Sequence, residues 1–475
     1  MTITSNNRNR RSFLRALAAG GLAYAIGRTQ GLSFAQMSGG AAKFTDYKAL
    51  VCVFLYGGND SWNMVVPMGP SEYDAYFKSR GGGTSSSLAI DKSVLLPVTR
   101  GEFVATNLKF GFHPNLAGIQ QLFNDGRLAV VPNVGPLIKP MSKQQYQETS
   151  SDSSDLPPQL FSHFDQQEQW ANLRGRLLLK TGWGGRMGDL VSGGIGAQQL
   201  PTNISLYGQS LFQTPNDSDQ YVMGEGGAEF PRGLGVIDDE PARRAAVMGH
   251  LDTAIQSTSN SVFERGYART QKRALQYAEI VNSALTKAPT MNAFPSSVEP
   301  TPLWVQLRTV ARLISQRASL GMTRQIFFVG LGGFDTHDRH LADHARLLGD
   351  LSKSVRAFSD AMVELGVSEQ VTLFTQSDFG RTLTSNGDGS DHGWGGTQFV
   401  AGGAVKGGRF FGDYPSLAMD GPEVLPWGGS VIPAISADQY AATLAKWFGV
   451  PQKSLPIVAP NLVNFSQWDL GFMNA

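Results

Sequence analysis

A chain of 475 residues with 40 Lys and Arg against 39 Asp and Glu, 41% hydrophobic and 17% charged, is no collagen, disulfide-stapled miniprotein or disordered tail. A formal charge of +1 leaves no basic surplus to neutralise a row of phosphates, so no nucleic-acid partner is expected. The one cysteine, Cys52, sits in an apolar run and reads as a buried, inert thiol, while 55 glycines and 24 prolines favour a turn-rich catalytic domain over a helical bundle.

Residues 1–35 read as an address. Asn9-Arg10-Arg11-Ser12-Phe13-Leu14-Arg15 is a paired-arginine block, followed by the weakly apolar stretch 16–26 and the small-residue pattern Ser33-Phe34-Ala35. This is the pattern of a twin-arginine export signal cleaved after Ala35. Its apolar part is short and broken by glycine, whereas a bilayer span needs about 20 apolar residues. The expected product is a periplasmic or secreted protein without a transmembrane anchor in its mature form. Folding before export accounts for the lack of disulfides and raises the expectation of a cofactor.

In chain order, the remainder reads as a strand at 50–56, a Gly/Ser loop at 81–87, a helix at 115–125, a strand at 128–134 and a polar loop at 148–158. Helical patterns follow within 241–285 and at 303–317, then a strand at 325–331, a helix at 341–365 and a strand at 371–375. Continuous apolar runs suit strands buried on both faces, and their alternation with helices implies an α/β layered domain with a largely parallel sheet. Residues 36–475 are expected to form one domain, with 200–300 as a helical cap or insertion.

Three of these strands end in an aspartate among small residues: Gly57-Gly58-Asn59-Asp60, Gly332-Gly333-Phe334-Asp335-Thr336-His337 and Gln376-Ser377-Asp378-Phe379-Gly380-Arg381. Ligands of open parallel sheets bind beyond the carboxyl ends of the strands, which directs all three acids to one crevice. At about 5 Å and an effective dielectric of about 20, each carboxylate pair repels by roughly 3 kcal/mol, so a proton or a cation has to resolve the arrangement. His337 and His392, the latter in Asp391-His392-Gly393-Trp394-Gly395-Gly396, favour a cation. Mixed Asp and His donors suit zinc, manganese or iron better than calcium. Asp60, Asp335, His337, Asp378 and His392 are therefore the expected metal set, although each aspartate taken alone fits a helix cap or turn equally well.

The ordered motifs LYGGNDSWN, LPPQLFSHFDQQEQW, GGFDTH, QSDFGRT and DHGWGG resemble the DUF1501 family, placed in the alkaline phosphatase and sulfatase superfamily, over nearly the whole mature chain. The resemblance implies a doubly wound sheet with helices on both faces, an alkaline phosphatase-like fold, and a metal-assisted hydrolase of phosphate or sulfate esters. It matches Asp60 to the acid after the first strand, Asp335 and His337 to ligands of one metal, and His392 to the last histidine ligand. Asp378 falls where superfamily members carry Asp-His, but Phe379 follows it, and His340 competes with His337 by spacing. These departures are compatible with one metal, altered ligation or lost catalysis.

Ser162 is the first candidate nucleophile, at the expected start of a helix whose N–H groups would welcome an anionic ester, although Ser162 with Asp165 also resembles a capping box. Ser61 is its rival and Thr336 a remote third. His163 is a candidate acid or ligand, and Arg381 a candidate clamp for a non-bridging oxygen. The competing expectation is a non-catalytic envelope protein that binds a polymer, with Trp183, Trp394 and Trp427 as possible stacking faces. A protein of the DUF1800 family is a conceivable partner.

Overall fold

In a computed structural model, residues 43–99, 109–229, 241–257 and 261–474 are described; the export signal expected over 1–35 lies outside them. Strand β1 (Lys48–Tyr56) is the axis of the main sheet, with every residue between its two ends buried. Side chains alternate across a strand, and β1 divides accordingly. Ala49, Val51, Val53 and Leu55 enter one core, while Leu50, Cys52 and Phe54 enter the other. A strand that feeds two cores has to be apolar throughout, which is why this stretch carries no polar alternation.

A small sheet of β2 (Val65–Pro67), β3 (Leu96–Pro97) and β4 (Phe110–Phe112) follows β1. The main sheet continues with β5 (Leu128–Gly135), β6 (Asn203–Ser205), β7 (Gln220–Val222), β8 (Arg324–Gly332) and β9 (Val371–Ser377). A separate hairpin pairs β10 (Arg381–Ser385) with β11 (Ser390–His392), and β12 (Gly396–Gly402), β13 (Arg409–Phe410) and β14 (Ile435–Ser436) return to the main sheet. Among the described residues that sheet has nine strands in the order β13-β5-β12-β9-β1-β8-β6-β7, with β14 beside β5. Pairing is parallel except where β12 runs antiparallel to both β5 and β9.

Helices cover both faces, as a doubly wound α/β domain requires. One face carries Ala117–Asn124, Pro302–Ser315 and His340–Glu364 around Leu122, Leu307, Leu351 and Phe358. The other carries His163–Asn172, Trp183–Val191 and Ala437–Phe448 around Trp170, Trp183 and Tyr440. Leu351 is wholly buried, and its truncation to alanine costs about 2–5 kcal/mol in such a core. The 200–300 stretch supplies β6 and β7 to one side of the sheet as well as the helices Pro241–Gln256 and Val262–Lys287. No helix among the described residues is long and apolar enough to cross a membrane.

Position for the chemistry follows from register. β8 and β9 flank β1 in parallel, with Tyr56 level with Gly332 and Leu55 level with Ser377. The loops that carry Asp60, Asp335 and Asp378 thus leave three adjacent strands at the same carboxyl edge.

Candidate metal centre

The turn after β1 is made by two glycines. Gly57 and Gly58 have φ of +115° and +85°, a region that L side chains rarely occupy. A Cβ on Gly57 would collide with the backbone of Asp335, and one on Gly58 with the ring of Phe379. Their bareness lets the three loops touch.

Asp335, half exposed, is the hub. Its carboxylate lies 3.3 Å from His163 Nε2, 3.1 Å from His337 Nε2 and 3.4 Å from His392 Nε2. Each imidazole is oriented from behind: His163 Nδ1 lies 2.7 Å from Asp378 Oδ2, His392 Nδ1 2.7 Å from the carbonyl of Phe161, and His337 Nδ1 3.3 Å from Asp391 Oδ1. An Nδ1–H donated by His163 to Asp378 and by His392 to the Phe161 carbonyl leaves their Nε2 lone pairs facing the carboxylate, with His337 Nε2 only 3.0 Å from His392 Nε2. Lone pairs do not gather around a carboxylate unless protons or a cation stand between them. The donor atoms of His163, Asp335 and His392 all fall within 4.8 Å of one another, a grouping able to hold a metal ion.

The electrostatics agree. The hydrogen bond to Asp378 raises the His163 pKa against the effect of its burial. Burial lowers that of His392. Burial would raise the carboxyl pKa of Asp335, but Arg381, His163 and His337 outweigh it and hold Asp335 below the usual range. Arg381 is wholly buried, donates from Nη2 to Asp335 Oδ1 at 2.9 Å, and its charge is also felt by Asp60 and Asp378. It is an interior guanidinium, tied to the hub.

The five expected ligands divide. Asp335, His337 and His392 meet directly. Asp378 joins through His163, and is further held by Gly57 N at 3.1 Å and Gln167 Nε2 at 2.9 Å. Asp60 faces another network, wholly buried, in which Arg80 Nη2 and His340 Nε2, the latter at 2.7 Å, share its Oδ2. His340 Nδ1 reaches Thr336 Oγ1 at 2.6 Å, and His344 Nε2 reaches Asn59 Oδ1 at 2.9 Å. Burial pushes the Asp60 carboxyl up, yet Arg80 and His340 prevail and hold it well below the carboxylate range.

The candidate hydroxyls also differ. Ser61 is buried, and its Oγ accepts from Thr397 N at 2.8 Å. Ser162 is the N-cap of the His163–Asn172 helix; its Oγ accepts from the N–H of Asp165 and donates to Asp165 Oδ2 at 2.7 Å. Phe379, next to Asp378, stacks on His392 with ring centres 4.5 Å apart and walls the cluster with an apolar face. Trp183 and Trp394 are core residues, whereas Trp427 is exposed and lies 5.3 Å from the Phe161 ring.

Arg80, His344, Gln167 and Asp391 were not among the expected site residues. Their only sequence signals are spacing: His340 and His344 are one helical turn apart, as are His163 and Gln167, so each pair shares a face.

The chain matches the family model described as "Protein of unknown function (DUF1501)" over residues 47–423. Among curated proteins none matches it significantly. Similar solved structures include Ps i-CgsB in complex with k-i-k-neocarrahexaose, at 8% identity and TM-score 0.34, covering 88% of this chain and 75% of that one. Others are the lipoteichoic acid synthase LtaP from Listeria monocytogenes, at 8%, TM-score 0.33, 90% and 81%, and the C-terminal periplasmic domain of EcEptC from Escherichia coli, at 10%, TM-score 0.32, 90% and 90%. Likeness at these scores carries no argument about activity. The family match spans most of the chain, and the chain belongs to the DUF1501 family.

Proposed function

We propose that this DUF1501 protein is an exported, metal-dependent hydrolase of phosphate or sulfate esters. The observation that carries the reading is the convergence of three Nε2 atoms on the Asp335 carboxylate, with the rings of His163 and His392 anchored at Nδ1. Nitrogen and carboxylate donors held from behind in this way fit a zinc, manganese or iron ion. His163, Asp335 and His392 would hold it, with His337 alongside, and bound there it would supply Lewis-acid polarisation of the ester oxygen.

The chain's own groups take the remaining roles. Asp378 fixes the tautomer and direction of His163. Arg381 offsets the surplus carboxylate charge beneath the cluster. Ser162 is the attacking hydroxyl in this reading: its oxygen bonds to phosphorus or sulfur as the bond to the leaving alkoxide breaks, its proton passes by way of Asp165 to that alkoxide, and water then cleaves the seryl ester to release phosphate or sulfate. Phe379 keeps water from one side.

Elemental analysis of protein purified without chelator should find about one transition-metal ion per chain. Aryl phosphates, phosphodiesters and sulfates screened with added Mn or Zn should show turnover that Asp335→Asn lowers at least a hundredfold. Zero metal together with uniform silence would sink the hydrolase and leave a polymer-binding envelope protein. That second reading draws on Phe379 and on the exposed Trp427, which packs on the Phe161 ring.

A further inference from the structure

The helix Val262–Lys287 is packed at one end only. From Leu275 onward its apolar face is covered, with Leu275, Ala278, Val281 and Leu285 buried, and Tyr277 meets Tyr221 of β7 with ring centres 5.4 Å apart. Ahead of Leu275, Ala268 is the one buried residue. At 1.5 Å per residue this lightly covered part runs for about 20 Å.

Its free end carries side chains that water does not favour. Val262 is 73% exposed, Phe263 88% and Tyr267 67%. Phe263 and Tyr267 are four residues apart and share a helix face. A single exposed apolar residue is ordinary, whereas three within two turns, two of them aromatic, make a patch. Ser261 and Glu264 close a capping box at this terminus, so the patch is presented on formed helix.

Charge adds a second constraint. This helix and its neighbour Pro241–Gln256 hold seven basic residues against three acidic ones, so a chain of formal charge +1 has a basic pole of +4 here and is net negative by three elsewhere. Lys272 and Arg273 are met by Asp252 and Asp219, while Arg269, nearer the tip, faces solvent.

The two constraints together select the occupant. A dissolved polyanion would meet the cations and leave the rings in water. A protein partner needs a broad face, since stable interfaces bury about 800 Å² per side over about 20–30 residues, and this tip is a wedge. An anionic bilayer takes aromatic side chains into its interface and basic ones among its headgroups. We propose that the free end of this helix docks the protein on an anionic lipid surface, with Phe263 and Tyr267 entering the interface and Arg269 lying among the phosphates. Attachment of this kind needs no spanning helix, and among the described residues there is none. It is independent of metal binding and of turnover.

A fluorescent label on the full chain tests it. Thr270 is exposed on the same face, one turn beyond Tyr267, and Thr270→Cys takes the label selectively because Cys52 is buried. Vesicles of phosphatidylcholine with an equal part of phosphatidylglycerol, carrying nitroxide-headgroup lipid, should quench it, and vesicles without phosphatidylglycerol should not. Phe263→Ser and Tyr267→Ser should each weaken binding about tenfold, and Arg269→Glu and added salt should weaken it too. All three side chains face solvent, so the fold should persist, and circular dichroism checks that it does. A label at the exposed Lys453, through Lys453→Cys, should stay unquenched, which separates the tip from any binding by residues 1–35. Silence, equal affinity for the two kinds of vesicle, or equal quenching at both labels overturns the proposal. So does a doubled mass in sedimentation that shifts the label without lipid, which would make the tip a contact between two copies.

Discussion

Two clusters of Asp, His and Arg lie under the same edge of the sheet, and they solve the charge problem in opposite ways. Around Asp60 the carboxylate is matched inside the protein by Arg80 and by the N–H of His340, and everything is buried. Around Asp335 the side chains are partly exposed, and three imidazoles aim their Nε2 atoms at one carboxylate with only Arg381 to offset it. The same residue types therefore do different work. A closed network orders the loops, whereas an open one is left with coordinating capacity for an incoming cation.

The sharpest way to break the contrast is Arg80→Met. Removing one partner of a buried ion pair strands the other, at a cost of about 3–5 kcal/mol. The denaturant midpoint should fall accordingly and, because Arg80 also holds the hairpin that carries His392, metal affinity should weaken by a smaller factor; a loss of metal at unchanged stability would show that the two clusters are one.

Acid should separate them next. Burial holds His113, beside the closed network, down to about 4, and keeps His344 well below the ordinary histidine value. Between about 4 and the unfolded value of about 6.5, the unfolded chain binds more protons. This stabilisation is therefore whole above pH 6.5 and lost as pH falls towards 4, by about 3 kcal/mol for His113. His163 has the opposite sign: its raised pKa stabilises the protein in acid and ceases to do so as pH rises through it. Melting in chelator from pH 8 to 4.5 should show the acid loss, and His113→Gln should shrink it; an unchanged slope would contradict the neutral, buried state.

The smallest effect expected is that of Asp378→Asn, which weakens the grip on His163 Nδ1 without removing a donor from the cluster. Such partners of ligating histidines are worth about 10–100-fold in metal affinity. Competition against a chromogenic chelator measures it, and an unaltered affinity would remove Asp378 from the centre.

Much of the frame was legible. β1, β8 and β9 are long apolar runs with glycine or serine after them, and a strand buried on both faces has little other way to be written. β12 was not visible, because GTQFVAG is short, bounded by glycines and polar at Thr397 and Gln398; its place is set by β5 and β9 on either side. Asp335, His337 and His392 stood out by their glycine frames. Arg80 did not, since it precedes a Gly/Ser loop and looks like a surface residue; Asp60 and carbonyls some 300 positions away hold it buried. The division of Asp60 from the other acids turns on that one guanidinium, which spacing cannot reveal.

Arg80 also donates from Nη1 to the carbonyls of Thr382 and Leu383, at the start of the hairpin that ends in His392. An early part of the polypeptide thus pins a late one. The last imidazole is aligned only once some 390 residues have been synthesised and brought back against the beginning. In the metal-dependent reading proposed above, cation capture would accordingly follow the folding of this hairpin, and a chain truncated before it would have no competent cage with which to scavenge the wrong ion.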